Sequence, residues 1–237
     1  MSSHTSKRAG LHLVAMDPGP DPAALRAWYQ AERIPAVRKV KGVTGVSEWE
    51  TVFRYVRAPV GGMMAVPGFP TYIVIYELED VDIARSDEFL DAKGRGFANT
   101  ARVNGKELRF DTIMSVTMSE VMRMENPGSE SAPPPQGMMV VSLTPQRDIV
   151  DTFHEWYDTV HLGELLSCPG FQRARRYRAL EGIPNYFAFY DLDQPEALQG
   201  ERFLGFSTRK FEELPLIQQK VGPNSTSNMC DVYRRIS

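Results

Sequence analysis

Residues 70–97 read PTYIVIYELEDVDIARSDEFLDAKGRGF, and residues 184–211 read PNYFAFYDLDQPEALQGERFLGFSTRKF. Laid over one another without a gap, at an offset of 114, the two stretches agree at eight of twenty-eight positions. Pro70, Tyr72, Tyr76, Leu78, Phe89, Leu90, Arg95 and Phe97 meet Pro184, Tyr186, Tyr190, Leu192, Phe203, Leu204, Arg209 and Phe211. Agreement of that density is hard to reach by chance and marks an internal repeat. Upstream, an offset of 128 lays residues 11–49 over 139–177, bringing Trp28-Tyr29 onto Trp156-Tyr157 and Gly42-Val43 onto Gly170-Phe171. The two offsets differ by fourteen (128 − 114), so the first copy carries an insertion between the matched blocks, within 55–69.

Two copies suit a chain of 237 residues, long for one domain and ample for two of about a hundred each. The first repeat spans 1–124 and the second 138–237, with ENPGSESAPPPQG at 125–137 between them. Proline, serine and glycine with almost no apolar residue make that segment a linker, semi-extended through its prolines. The insertion 55–69, with Gly61-Gly62-Met63-Met64, reads as a mobile hairpin extension. It is either a surface loop or an apolar lid, since methionine adapts to ligand shape.

Each copy reads strand, helix, strand, strand, helix, strand. In the second copy Met138–Leu143 is a short apolar run suited to a buried strand. Asp148 can cap the following helix, in which Ile149, Phe153, Trp156 and Val160 form one stripe; Cys168-Pro169-Gly170 ends it. Phe171–Leu180 and Asn185–Leu192 form a hairpin, a helix follows over about Pro195–Leu214, and a strand near Met229–Ile236 closes the unit. The first copy predicts strand Leu11–Met16, helix Asp21–Arg33, strands Gly45–Arg54 and Thr71–Leu78, a helix near Val81–Thr100 and strand Asp111–Met122. The order βαββαβ is the ferredoxin-like split βαβ arrangement. Tyr186, Ala188 and Tyr190 share one face of a strand and Phe187 and Phe189 the other, so both faces want cover. Leaving one face wet would cost about 25 cal/mol per Å² of apolar area. The expected fold class is therefore α+β: two tandem ferredoxin-like units forming an intrachain, pseudo-dimeric α/β barrel.

Composition narrows the partners. Hydrophobic content of 42% and charged content of 24% are ordinary for a globular protein, and a net charge of −3 argues against a nucleic-acid surface. No apolar run approaches the roughly 20 residues of a membrane span, and MSSHTSKRAG lacks the apolar core of a secretory signal. The reading is a cytoplasmic protein. Cys168 and Cys230 are too few and too far apart for a disulfide framework or zinc site. No phosphate loop, HExxH or GxSxG motif is present, so no cofactor and no metal are expected. Haem needs only one axial histidine, but the apolar groove it would require is not evident.

In the second copy, Trp156-Tyr157-Asp158-Thr159-Val160-His161 is followed by Pro169-Gly170-Phe171 and an arginine- and tyrosine-rich strand, RARRYR at 173–178. With the strand order, this resembles the dimeric α/β-barrel superfamily and within it the EthD-like branch. The family pattern is a tryptophan–tyrosine pair, a histidine four residues after the tyrosine, and a proline–glycine–phenylalanine turn. The first copy keeps Trp28-Tyr29 but has Arg33 in the histidine's place and Lys41-Gly42-Val43 at the turn. The superfamily hosts decarboxylases, dehydratases, isomerases, cyclases, cofactor-free monooxygenases and haem enzymes, so the resemblance implies a scaffold and leaves the reaction to the site.

His161 is the leading candidate for proton transfer. It lies at the edge of the buried stripe, and regular helical spacing puts it on a face with Tyr157 and Asp158. A neighbouring carboxylate at Asp158 would fix the imidazole tautomer and raise its pKa. The plainer alternative is a partly wet histidine at a helix end. Tyr157 is a candidate catalytic group that positions substrate, and with it Trp156 and Tyr190 are candidate pocket walls, though aromatic residues at such spacing are commonly core. If Arg175 and Tyr177 point inward, they offer an anion partner and a hydroxyl; otherwise the arginines decorate a solvated edge. Arg33 and Trp49 stand at or beside the matching places of the first copy, which either binds an anionic group or buttresses the fold. His12 and His154 are taken as structural.

The function expected is a cofactor-independent lyase or isomerase acting on a small aromatic or apolar oxygenated metabolite, by decarboxylation, dehydration or a proton shift. The rival readings are a cofactor-free monooxygenase of a phenol or quinol and a non-catalytic binder of an apolar metabolite. The expected partner is a small molecule, and a homodimer of the chain is compatible with this organisation.

Overall fold

A computed structural model describes residues 7–57, 63–67, 71–95, 100–103, 105–207, 209, 216–221 and 225–237. Its strands are β1 (Gly10–Asp17), β2 (Val43–Arg57), β3 (Met63–Pro67), β4 (Tyr72–Leu78), β5 (Thr100–Val103), β6 (Lys106–Arg109), β7 (Asp111–Glu125), β8 (Gly137–Pro145), β9 (Phe171–Ala179), β10 (Tyr186–Leu192) and β11 (Ser225–Arg235). In the first repeat the hydrogen-bonded order is β7-β1-β4-β2, and in the second β11-β8-β10-β9. Numbered within each repeat, both are the antiparallel order 4-1-3-2 of a ferredoxin-like sheet. The fold class is α+β, a pseudo-dimeric α/β barrel of two ferredoxin-like repeats.

The chain forms two compact units that do not coincide with runs of sequence. The first holds the chain up to Glu50, the stretch ending at Glu120 and the last residues Ile236–Ser237; the second holds the segment beginning at Thr51 and the stretch Val121–Arg235. The reason lies in two fifteen-residue strands, β2 and β7, each of which starts in the first unit and ends in the second. Within the second unit Arg54 of β2 binds Asp231 of β11 through Nε and Nη2, at 2.7 and 2.9 Å. At the other side Asn126, just past β7, donates its backbone N–H to Gln172 of β9 at 3.0 Å.

The first unit packs its helical segments Pro22–Trp28, Tyr29–Arg33 and Ile34–Arg38 against one face of its sheet. Asp21 caps the start, its carboxylate accepting from Ala24 N–H at 3.0 Å, and Pro22 sits where a missing N–H costs nothing. The helix runs past Arg33, its expected end, to Arg38, because Pro35 falls in the first turn of Ile34–Arg38. Leu25, Trp28, Tyr29, Tyr76 and Phe89 meet Val14 and Met16 of β1 in its core. The second helical region is shorter than expected: a 3-10 turn Val81–Arg85 and a helix Asp87–Lys93 capped by Ser86. The small hairpin β5–β6 was not anticipated.

The second unit repeats this pattern with Val150–Trp156, Tyr157–His161 and Leu162–Leu166 on its sheet. Phe153, Trp156, Tyr157, Phe171, Tyr190 and Phe203 form its aromatic core. Strand β10 is buried on both faces, as its two aromatic stripes required. Asp148 does not cap: Arg147–Ile149 forms a 3-10 turn first. Past Glu201–Ser207 the chain is helical again at Leu216–Val221, and 210–215 lie outside the described residues.

The segment 125–137 is not a free spacer. Asn126 donates through Nδ2 to the carbonyls of Leu166 and Phe171, both at 2.7 Å, and Gln136 N–H to Leu192 at 3.1 Å. Backbone groups laid against a sheet edge find partners there. In the insertion, β3 pairs antiparallel with β2 from Phe53↔Pro67 to Arg57↔Met63, a hairpin. Its expected role as a lid rests on residues, Gly61 and Gly62 included, that lie outside the described residues.

Candidate functional site

Each repeat interrupts its first helix with one five-residue π-turn at the same place, Tyr29–Arg33 and Tyr157–His161. In both, the N–H of the next residue, Ile34 or Leu162, donates to the tyrosine carbonyl five residues back. Such π-turns widen the helix and rotate the side chain that ends them, which is why they gather at functional sites. Here they end on Arg33 and His161, the pair at which the repeats diverge.

The π-turn changes which neighbours His161 meets. Its imidazole stacks on Trp156, five residues back, with ring centroids 4.4 Å apart and planes at 27°. Tyr157 stands edge-on at 4.9 Å. Among the described residues no side chain hydrogen-bonds to the ring. Burial of the ring, aided by the Arg176 guanidinium, pushes its pKa down to about 3. The expected upward shift is thus reversed, and the imidazole is neutral at ordinary pH.

Asp158 does not orient His161. Its carboxylate takes a hydrogen bond from Nη1 of Arg176, whose Nη2 donates to Nδ1 of His154 at 3.0 Å. An arginine can only donate, so His154 Nδ1 is an acceptor and that ring is neutral in this pairing. Burial and then Arg176 lower the His154 pKa in agreement. Arg176 is itself buried, 2% exposed, with its guanidinium 4.4 Å over the Tyr157 ring and 5.3 Å from that of Phe153. A desolvated cation is retained only when acceptors and ring faces replace water, and Arg176 has both.

Strand parity splits the remaining candidates. Arg176 and Ala174 face the helices together with Tyr190, which lies across from Ala174. Tyr190 is fully buried beside Tyr157, and burial, reinforced by Tyr157, holds its phenol pKa well above the usual value. Tyr157 is likewise raised by burial, to about 12, so both phenols keep their protons. Arg175 and Tyr177 are buried, but on the opposite face of β9, and do not join His161. There Arg175 Nη2 binds Asp191 Oδ1 at 2.9 Å while Arg173 Nε holds Oδ2 at 2.7 Å. Tyr177 packs edge-on to Phe189 with centroids 5.3 Å apart. The Arg175 charge is thus matched by a carboxylate of the protein's own.

The first repeat places a buried carboxylate where the second has the buried arginine. At the 128-residue offset Glu48 stands for Arg176, Gln30 for Asp158, Arg26 for His154 and Arg33 for His161. Glu48 is 1% exposed, and accepts from the Tyr72 hydroxyl, the Ser237 hydroxyl and Gln30 Nε2, the last at 3.3 Å. Arg33 lies over Trp28 at 4.8 Å, as His161 lies over Trp156. Trp28 Nε1 donates to Glu32 at 3.0 Å. Trp49 is buried with Nε1 donating to Ser47 at 2.8 Å, one residue from Glu48 and so on the other strand face from the helices. Arg33 and Trp49 are therefore not neighbours in one site.

The residues that sequence reasoning passed over are Arg176 and His154. One signal was available: an aligned β position carrying glutamate in one copy and arginine in the other is a buried charge awaiting a partner. Among the described residues no three His, Cys, Asp or Glu side chains converge as metal ligands would, and no helix is long and apolar enough to cross a membrane.

No protein-family model matches the chain, and no curated protein matches it in sequence. Solved structures do match in fold. A mutant chlorite dismutase from Candidatus Nitrospira defluvii superposes with a TM-score of 0.55 at 8% identity, over 97% of this chain and 92% of that one. A candidate monooxygenase from Fusobacterium nucleatum gives 0.54 at 6% identity, over 98% and 94%. An anthrone oxidase-like protein gives 0.50 at 9% identity, over 96% and 92%. At such identities the likeness is one of fold, the dimeric α/β barrel.

Proposed function

We propose that the chain is a cofactor-independent enzyme of the EthD-like branch, a lyase or isomerase that moves a proton on a small aromatic or apolar oxygenated molecule. The observation that carries this reading is the neutral imidazole of His161, held against Trp156 and Tyr157 in the field of a buried arginine. With its pKa lowered, that imidazole is a weak base. A substrate losing a proton beside it becomes an anion, which stabilises the imidazolium and is itself stabilised by the Arg176 charge. Proton removal next to a carbonyl, and the decarboxylation or dehydration that shares its enolate-like intermediate, fit this polarity. Trp156 and Tyr157 wall the substrate, and the buried Tyr190 backs Tyr157 from the core. Asp158 acts through Arg176 and not on the imidazole. Arg175 and Tyr177 form a separate group on the other face.

Turnover of His161→Ala tests the assignment: a fall of about 10²–10⁴-fold in kcat is expected, and unchanged turnover overturns it. Asp158→Asn should fall less than about tenfold, because its carboxylate is one step removed. The same deprotonation of a phenol or quinol would present an electron-rich anion to dioxygen. Fold neighbours described as a candidate monooxygenase and an anthrone oxidase-like protein favour that second reading. Oxygen uptake that tracks substrate loss supports it, and full turnover under nitrogen supports the lyase or isomerase.

A further inference from the structure

The first unit holds a small cleft lined by its own residues alone, with a cavity of ≈ 20 Å³. A space of that size takes about one water, or a particle little larger, and no organic molecule. The π-turn brings Arg33 to it, the end of helix Asp87–Lys93 brings Lys93 and Gly94, and β7 brings Ser115. Trp28 and Phe110 close its apolar side and are themselves buried.

Both cations of the cleft are peculiar to this half: Arg33 aligns with His161, and Lys93 with Ser207. Arg33 lies 4.8 Å over the Trp28 ring and donates Nη1 to the Ala92 carbonyl at 3.4 Å. Lys93 donates Nζ to the Gly94 carbonyl at 3.1 Å. Among the described residues neither forms an ion pair, and no carboxylate lines the cleft. Lys93 is half-buried, and its pKa is lowered by burial and then by Arg33, a like charge. Gly94, at φ +90°, lets the Arg33 guanidinium lie close: a Cβ added there would stand 3.1–3.2 Å from it. The buried His12 meets the Ser115 hydroxyl at 3.1 Å through Nε2 and that of Thr117 at 2.9 Å through Nδ1. A neutral imidazole carries one ring proton; when Nε2 donates it to Ser115, the serine's own proton is free for an acceptor in the cleft.

We infer that this cleft is a halide site, holding one chloride between the Arg33 guanidinium and the Lys93 ammonium, with the Ser115 hydroxyl as third donor. A monatomic anion fits a water-sized space that a carboxylate or phosphate does not. Two cations held together repel, and the buried rings beside them lower the local dielectric, which strengthens that repulsion and its relief by one negative charge. The inference is independent of the role given to His161.

The NMR linewidth of chloride in solution with the full chain tests it, since exchange with a slowly tumbling site broadens the line. Bromide should displace chloride and remove the excess broadening at comparable concentration, whereas acetate should need at least about tenfold more. Arg33→Met and Lys93→Met should each weaken chloride about tenfold or more. Arg38→Met, which removes an exposed cation outside the cleft, should leave the broadening unchanged. Lys93 ends a short helix, so its variant keeps the test open if Arg33→Met fails to fold. No excess broadening by the parent chain, displacement by acetate as ready as by bromide, or broadening unaltered in Lys93→Met would overturn the inference.

Discussion

The imidazole of His161 lies face to face with the indole of Trp156, five residues earlier in the chain, at a centroid separation of 4.4 Å. A regular helix would not bring those positions together, since its neighbours are three and four apart. The π-turn does, and it directs the histidine to the ring and away from Asp158.

The hub of the second repeat is Arg176, so Arg176→Met should be costly. It removes a buried cation from Asp158, His154 and two ring faces. Asp158 is about a third exposed, so its stranded charge is partly rewetted. The expected loss is about 2–4 kcal/mol, read from urea unfolding. His161 should then titrate at higher pH by NMR, because one cause of its lowered pKa is gone; an unmoved titration would exclude Arg176 as a cause.

Stability should fall in mild acid. The buried His12 has its pKa lowered from 6.5 to about 3 by burial and then by Lys93. Between those values the unfolded chain binds a proton that the folded chain does not. Stability is therefore full above about pH 6.5 and declines as pH falls toward about 3, by up to about 1.4 kcal/mol per pH unit. His12→Gln should remove its share of that slope between about pH 7 and 5, the likewise lowered His161 supplying another. An equal slope in the variant would show that His12 is not its source.

Gly94→Ala should destabilise the first unit without touching a charge. At φ +90° an alanine is strained, by about 1–3 kcal/mol, and its methyl crowds the Arg33 guanidinium. Reduced stability is expected, read by thermal unfolding; an unchanged midpoint would show that the strain is relieved.

Tyr76→Phe should be neutral or stabilising by up to about 1 kcal/mol. The Tyr76 hydroxyl is fully buried and has no hydrogen-bond partner among the described residues. Its removal leaves no acceptor stranded and relieves a desolvated group. Destabilisation in urea unfolding would reveal a partner for that hydroxyl.

Much of the fold was legible in sequence, and the site was not, for one physical reason. Repeat offsets and apolar periods are local properties of the chain, so Tyr72 and Tyr186, or Trp28 and Trp156, declared equivalent places before any contact was known. Pairings across elements are not local. Asp158 stands three residues from His161 and eighteen from Arg176, and the shorter separation misled, because the helix is locally underwound there and the guanidinium of β9 is in reach. Arg175 and Arg176 looked alike as letters, and only strand parity sends one to Asp191 and the other to Asp158.

The sequence by itself determined the βαββαβ order of each half, the α+β class and the aligned positions Arg33 and His161 at which the halves differ. Apolar spacing and turn residues specify these through short-range sterics and burial. The tertiary structure decided that β2 and β7 each run from one compact unit into the other, that Arg176 and Glu48 are buried opposites, and that His161 is neutral against Trp156. Those outcomes depend on desolvation and on charges brought together from distant parts of the chain, and no local pattern carries them.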